Sequence, residues 1–208
     1  MCRVRIRLKT YSQKSSTFLQ IKGYPGLQNM AEYIIQYIPK SKIYVEPFSG
    51  LGRTVEKKHD KVILNDKSDY SVNYLKLHFP FAEITQEDFE ICILKHDSED
   101  TFFLIDPPWR KNIYQNNPLP FNDRTPIQYY DKLIKEILPK LKGDWILCID
   151  RDEHEIGKRV SKSGYENLVI QHPKKVLFNR PLAVRMASNK PFIKQEKEIG
   201  KCVECELD

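Results

Sequence analysis

Short apolar runs and helical patterns alternate along this chain, and that alternation limits the fold more than any other feature. "KIYVEPF" (42–48), "KVILND" (61–66), "FAEIT" (81–85), "TFFLIDP" (101–107) and "DWILCID" (144–150) read as strands. Helical segments are expected between them at 51–59, 68–78, 88–96 and 126–142, with another at 27–38 ahead of the first strand. In 126–142, Ile127, Tyr130, Ile134, Ile137 and Leu141 recur at helical spacing. Such alternation predicts an α/β domain: a mainly parallel sheet with helices on both faces. After residue 150 the pattern changes. A helix at 152–163 precedes two strands, 165–170 and 181–188, with no helix between them. These are expected to form an antiparallel pair at one edge.

In an open α/β sheet, ligands sit at the carboxyl ends of the strands, at the topological switch point. Four unusual sequences fall on that edge: "EPFSGLG", "ND", "EDF" and "DPPW". Gly50 and Gly52 permit a tight turn and close backbone approach to a ligand. Asp66 is placed to bind the two hydroxyls of a ribose, or to cap the next helix. Asp88 and Phe89 can hydrogen-bond and cover an adenine ring, or serve as a helix cap and a core aromatic. Together these residues describe an adenosine-type ligand lying across three strand ends.

The fourth sequence adds a reaction. Asp106 is an acceptor, and Pro107 offers only its carbonyl. Two acceptors held rigidly at a strand end suit a planar amino group with two N–H donors, and Trp109 offers a face on which a base can stack. The exocyclic amine of adenine is a poor nucleophile because its lone pair is delocalised into the ring. Accepting both of its hydrogens in a tetrahedral arrangement localises that pair, so the amine can attack an electrophilic methyl group. Asp-Pro-Pro is also a good strand terminator.

In this order, the four motifs resemble those of the Dam-like DNA adenine-N6 methyltransferases, which carry a (D/E)-P-F-x-G-x-G loop and a D-P-P-(Y/F/W) motif. The similarity spans roughly residues 20–190. Upstream, "IKGYPGLQNMAEYIIQYIP" resembles the segment that helps to hold the methionine part of the cofactor; downstream, "LFNRPLAVRMASNKP" is similar to the closing strand pair. The resemblance implies a Rossmann-like class I fold with a seven-stranded sheet, S-adenosylmethionine as cofactor and no metal. It implies that Glu46, Phe48, Gly50, Gly52, Asp66, Asp88 and Phe89 line the cofactor, with Lys22 and Tyr24 upstream. Asp106, Pro107 and Trp109 would be catalytic. Pro108, Arg110, Lys111, Asn112 and Arg124 would meet the substrate.

The chain departs from the family pattern in three ways. "GYPGLQ" replaces the usual glycine pair followed by lysine. Trp109 replaces the commoner Tyr, and the same Trp occurs in RNA adenosine methyltransferases. The interval between Gly52 and Asp106 is filled by strands and helices, leaving no space for a separate target-recognition domain. Recognition is therefore expected from the loop "RKNIYQNNPLPFNDRT" (110–125), rich in the side chains that read phosphates and base edges. DNA is the expected partner and RNA the alternative; a catalytically silent nucleic-acid-binding subunit is a third reading.

Composition agrees with a polyanionic partner without requiring one. The 208 residues carry 34 Lys+Arg against 28 Asp+Glu, a net charge of +6. In "CRVRIRLKT" basic residues alternate with Val4, Ile6 and Leu8, which reads as a basic N-terminal strand (1–20): a protected edge or a phosphate-contacting ribbon. No apolar run approaches the roughly 18 residues of a membrane span, and no secretory signal is expected. Five cysteines suit a reducing cytoplasm. Cys92 and Cys148 are expected as buried thiols, and Cys202 and Cys205 lie in a polar tail. The expected organisation is one domain over 1–190, a tail over 191–208, and a monomer or weak dimer.

Overall fold

The computed structural model describes residues 30–108, 126–150, 154–177 and 180–195. Seven strands form one sheet: β1 (Ile43–Glu46), β2 (Lys61–Asn65), β3 (Glu83–Thr85), β4 (Thr101–Ile105), β5 (Asp144–Asp150), β6 (Glu166–Leu177) and β7 (Arg180–Ser188). Their spatial order is β3-β2-β1-β4-β5-β7-β6. The first five are parallel, while β7 runs antiparallel between β5 and β6. The expected closing pair is present, and the connection from β3 to β4 carries the chain to the other half of the sheet, so that the topological switch point lies between β1 and β4.

β4 shows why the centre is parallel. All five of its residues are buried, because helices cover both faces. Phe103 and Ile105 pack with the cluster under α3 (Phe89–His96), α4 (Pro126–Lys132) and α5 (His154–Lys162). Phe102 and Leu104 face the cluster under α1 (Ala31–Ile34) and α2 (Asp69–His78). Ser68 caps α2 by accepting from the Ser71 N–H, and Asp88 caps α3 by accepting from the Glu90 N–H. Cys92 and Cys148 are buried free thiols.

Three expectations change. Residues 51–59 form turns, not a helix. Gly50 and Gly52 lie at φ 53° and 62°, in the left-handed region, and Gly52 N–H donates back to the Ser49 carbonyl. The helix expected at 126–142 ends by Lys140 and is irregular: α4 passes through a π turn (Leu133–Ile137) into a 3₁₀ turn (Leu138–Lys140) containing Pro139, which cannot donate to the helical ladder. β6 runs on to Leu177, past the expected end at residue 170, through a register shift between Gln171 and Val176. Pro173 falls inside that shift, where its missing N–H leaves no ladder bond to lose. Among the described residues, no helix is long and apolar enough to cross a membrane.

Candidate active site at the carboxyl edge of the sheet

The strand ends β1, β2 and β3 are bound to one another by polar groups. Gly50 N–H donates to Asp66 Oδ2 (2.8 Å), and Ser68 N–H donates to Asp66 Oδ1 (2.9 Å). Burial pushes the Asp66 carboxyl up to about 6, while those two donors act in the opposite sense. A carboxylate has about four acceptor sites, so Asp66 keeps capacity for further donors.

The two glycines differ in their surroundings. A Cβ built on Gly50 meets nothing within 4 Å, so the loop presents bare backbone beside Asp66. A Cβ on Gly52 would lie 2.9 Å from the Phe79 ring and 3.1 Å from Leu75. Gly50 therefore leaves room at the site, whereas Gly52 lets the loop pack on the end of α2.

Glu46 ends β1 and is only 3 % exposed. Its Oε1 accepts from the Tyr44 hydroxyl (2.5 Å) and the Thr54 hydroxyl (2.6 Å). Burial pushes its carboxyl up to about 7, with both hydroxyls opposing the shift. The Cys148 thiol, on β5, is pushed well up by burial first and then by the carboxylates of Asp106 and Glu46. These three groups therefore cluster where β1, β4 and β5 end, on both sides of the switch point. Asp106 is partly buried, Pro107 buried and Pro108 partly buried.

Phe48 stacks on Phe89 with centroids 5.0 Å apart, and the edge of Tyr129 closes the group at 5.8 Å from Phe48. Phe89 and Tyr129 are buried, and Phe48 is partly exposed. Thus Phe89 supports Phe48 from below. The Asp88 carboxylate caps α3 through Oδ1, and its Oδ2 pairs with Lys67 at 2.9 Å. The cap and core roles read from the sequence for this pair are thus both occupied. Lys22, Tyr24, Trp109, Arg110, Lys111, Asn112 and Arg124 lie outside the described residues, as do Cys2, Cys202 and Cys205.

Sequence reasoning passed over Asn65, Tyr44 and Thr54. A hydroxyl two residues before a buried acid on one strand face was a legible signal for Tyr44. Asn65 gave none, because "ND" after a strand resembles any turn.

No protein-family model matches the sequence, and no curated protein sequence matches it. Solved structures do. The M. jannaschii tRNA m1G37 methyltransferase has a TM-score of 0.50 and 15% identity, over 85% of this chain and 52% of that one. A TehB-like SAM-dependent methyltransferase from Corynebacterium glutamicum has a TM-score of 0.50 and 14% identity, over 79% and 89%. The precorrin 8W decarboxylase of Methanobacterium thermoautotrophicum has a TM-score of 0.50 and 10% identity, over 78% and 89%. With its strand order and antiparallel β7, the chain has the Rossmann-like fold of the class I methyltransferases.

Proposed function

We propose that this protein is an S-adenosylmethionine-dependent methyltransferase acting on the N6 amine of adenine in DNA. One observation carries the reading. A backbone-and-carboxylate pair suited to a ribose, Gly50 and Asp66, shares a sheet edge with an Asp-Pro pair suited to an amine, Asp106 and Pro107. The fit to the cofactor rests on the open space over Gly50 and on the spare acceptor capacity of Asp66. Asp66 would take the ribose hydroxyls, and Phe48 and Asp88 would bound the adenine. Lys22, Tyr24 and Glu46 are proposed for the methionine side. When bound, S-adenosylmethionine supplies an electrophilic methyl group.

The chain's own residues supply orientation. The Asp106 carboxylate and Pro107 carbonyl accept the two hydrogens of the target amine and direct its lone pair outward. Positioning of two reactants is the main source of rate in such a site. Formation of the new N–C bond would be matched by cleavage of the methyl's bond to sulfur, leaving S-adenosylhomocysteine, and the Asp106 carboxylate would accept the one N–H proton that the amine then sheds. Flipping the base from a duplex costs a few kcal/mol, and stacking on Trp109 can offset about 1–3 kcal/mol of that. Pro108, Arg110, Lys111, Asn112 and Arg124 are proposed to meet the flanking backbone and bases.

Trp109 favours a second substrate, RNA, because the same aromatic occurs in RNA adenosine methyltransferases. Matched DNA and RNA oligonucleotides incubated with methyl-labelled S-adenosylmethionine decide between them. Label on N6 of adenine in DNA is the expected result. Label confined to RNA reassigns the substrate, and cofactor binding without transfer to either defines a silent subunit.

A further inference from the structure

The ladder between β2 and β3 ends at Asn65 opposite Thr85. Past that rung, the Asn65 side chain continues the pairing. Its Nδ2 donates to the Glu87 carbonyl (3.1 Å), and its Oδ1 accepts from the Glu87 N–H (2.8 Å). The carboxamide thus supplies to Glu87 the bond pair that a strand would supply. Nδ2 also donates to the Pro47 carbonyl (3.0 Å), and Oδ1 also accepts from the Thr85 hydroxyl (2.8 Å). Two donors and two acceptor sites are the full capacity of a carboxamide, and all are used in a residue only 1% exposed. The Asn65 carbonyl, in turn, accepts from Ser49 N–H (2.8 Å).

Each connection ends beside a residue of the cofactor half of the site. Pro47 precedes Phe48, Ser49 precedes Gly50, Glu87 precedes Asp88, and Asn65 itself precedes Asp66. We infer that Asn65 is a positioning residue for ligand binding: its carboxamide fixes the spacing of the β1, β2 and β3 ends, so affinity for an adenosine-type ligand depends on it. This inference rests on the reading of the site given above. The physical reason is preorganisation. A site whose loops are already held loses less ordering entropy when ligand binds.

Asn65→Asp tests this with little change of shape. An oxygen then faces the Pro47 and Glu87 carbonyls, which lose their donor and are repelled. Thr85→Val is the milder companion: it removes the hydroxyl's bond to Asn65 Oδ1, together with its contact with the Cys92 thiol, and keeps the volume. Val160→Ala is the control: Val160 is a buried α5 residue of the cluster under α3, α4 and α5, it makes none of the hydrogen bonds that join these strand ends, and its loss destabilises by leaving a cavity. The readout is S-adenosylhomocysteine affinity by calorimetry, well below each variant's melting temperature, so that only folded protein is compared.

Asn65→Asp is expected to bind about tenfold or more weaker than wild type, and Thr85→Val a few-fold weaker, with Val160→Ala unchanged. Should Asn65→Asp not fold, Thr85→Val decides. Wild-type affinity in the folded Asn65 or Thr85 variant overturns the inference and leaves the proposed function standing. Equal weakening in Val160→Ala overturns it too, because loss of affinity would then follow stability alone. A wild-type protein that binds no S-adenosylhomocysteine overturns both.

Discussion

Gly50 and Asp66 are joined by a 2.8 Å bond from the glycine N–H to Asp66 Oδ2, linking the ends of β1 and β2 across the face where a ligand would lie. The bond orients the carboxylate, and burial raises its pKa to about 6. Only the ionised form has every acceptor site available for ribose hydroxyls. S-adenosylhomocysteine affinity is therefore expected to be flat above about pH 7. It should fall as the pH drops through about 6, toward tenfold weaker for each further unit. Asp66→Asn should bind more weakly and lose this dependence. Calorimetry between pH 5 and 8 measures both, and a flat wild-type profile would remove Asp66 from the ligand contacts.

Glu46 predicts a different pH effect, on stability. Its carboxyl lies near 4.5 when unfolded and is raised to about 7 by burial in the native protein. A raised acid favours the folded state most below its unfolded pKa. That contribution is lost as the pH rises from about 4.5 through about 7. Glu46→Gln keeps an acceptor for Tyr44 and Thr54 but carries no charge. Relative to the variant, wild type should lose roughly 2–4 kcal/mol of unfolding free energy between pH 4 and 8. Urea unfolding at several pH values checks this; parallel profiles for the two proteins would contradict it.

The two glycines of one motif should respond differently to alanine. Both sit at positive φ, a conformation that costs an L-residue roughly 1–2 kcal/mol. Gly50→Ala meets open space, so about that strain is its whole stability cost, while its methyl intrudes where ligand would approach. Gly52→Ala also presses on Phe79 at 2.9 Å, adding roughly 1–3 kcal/mol of overpacking. Gly52→Ala is expected to lower the melting temperature more, and Gly50→Ala to lower S-adenosylhomocysteine affinity more. The reverse order would contradict the roles assigned to them.

How much of this was legible in the sequence follows from which signals are periodic. The unbroken apolar run "TFFLI" announced a strand buried on both faces, and the absence of a helix between the last two strands announced their antiparallel pairing. The turn at 51–59 was hidden because "RTVEKKHD" has helix-like composition; the left-handed Gly50 and Gly52, not the residues after them, decide the path. The four motifs lie at the carboxyl ends of β1, β2, β3 and β4. They could not separate the packing role of Gly52 from the open face of Gly50, because that difference depends on Phe79, 27 positions away in sequence but adjacent in space. Asn65 was invisible for a related reason: its four side-chain bonds go to three residues, Pro47, Thr85 and Glu87, on two segments that only the folded sheet brings beside it.

In the proposed reaction Asp106 orients an adenine amine for methyl transfer. The decisive measurement is the rate of label transfer from S-adenosylmethionine to N6 of adenine, on one DNA substrate, by wild type and by Asp106→Ala. The expected result is transfer by wild type and none detectable by Asp106→Ala, with the variant's S-adenosylhomocysteine affinity within about threefold of wild type. A variant that retains a near-normal rate would contradict the account.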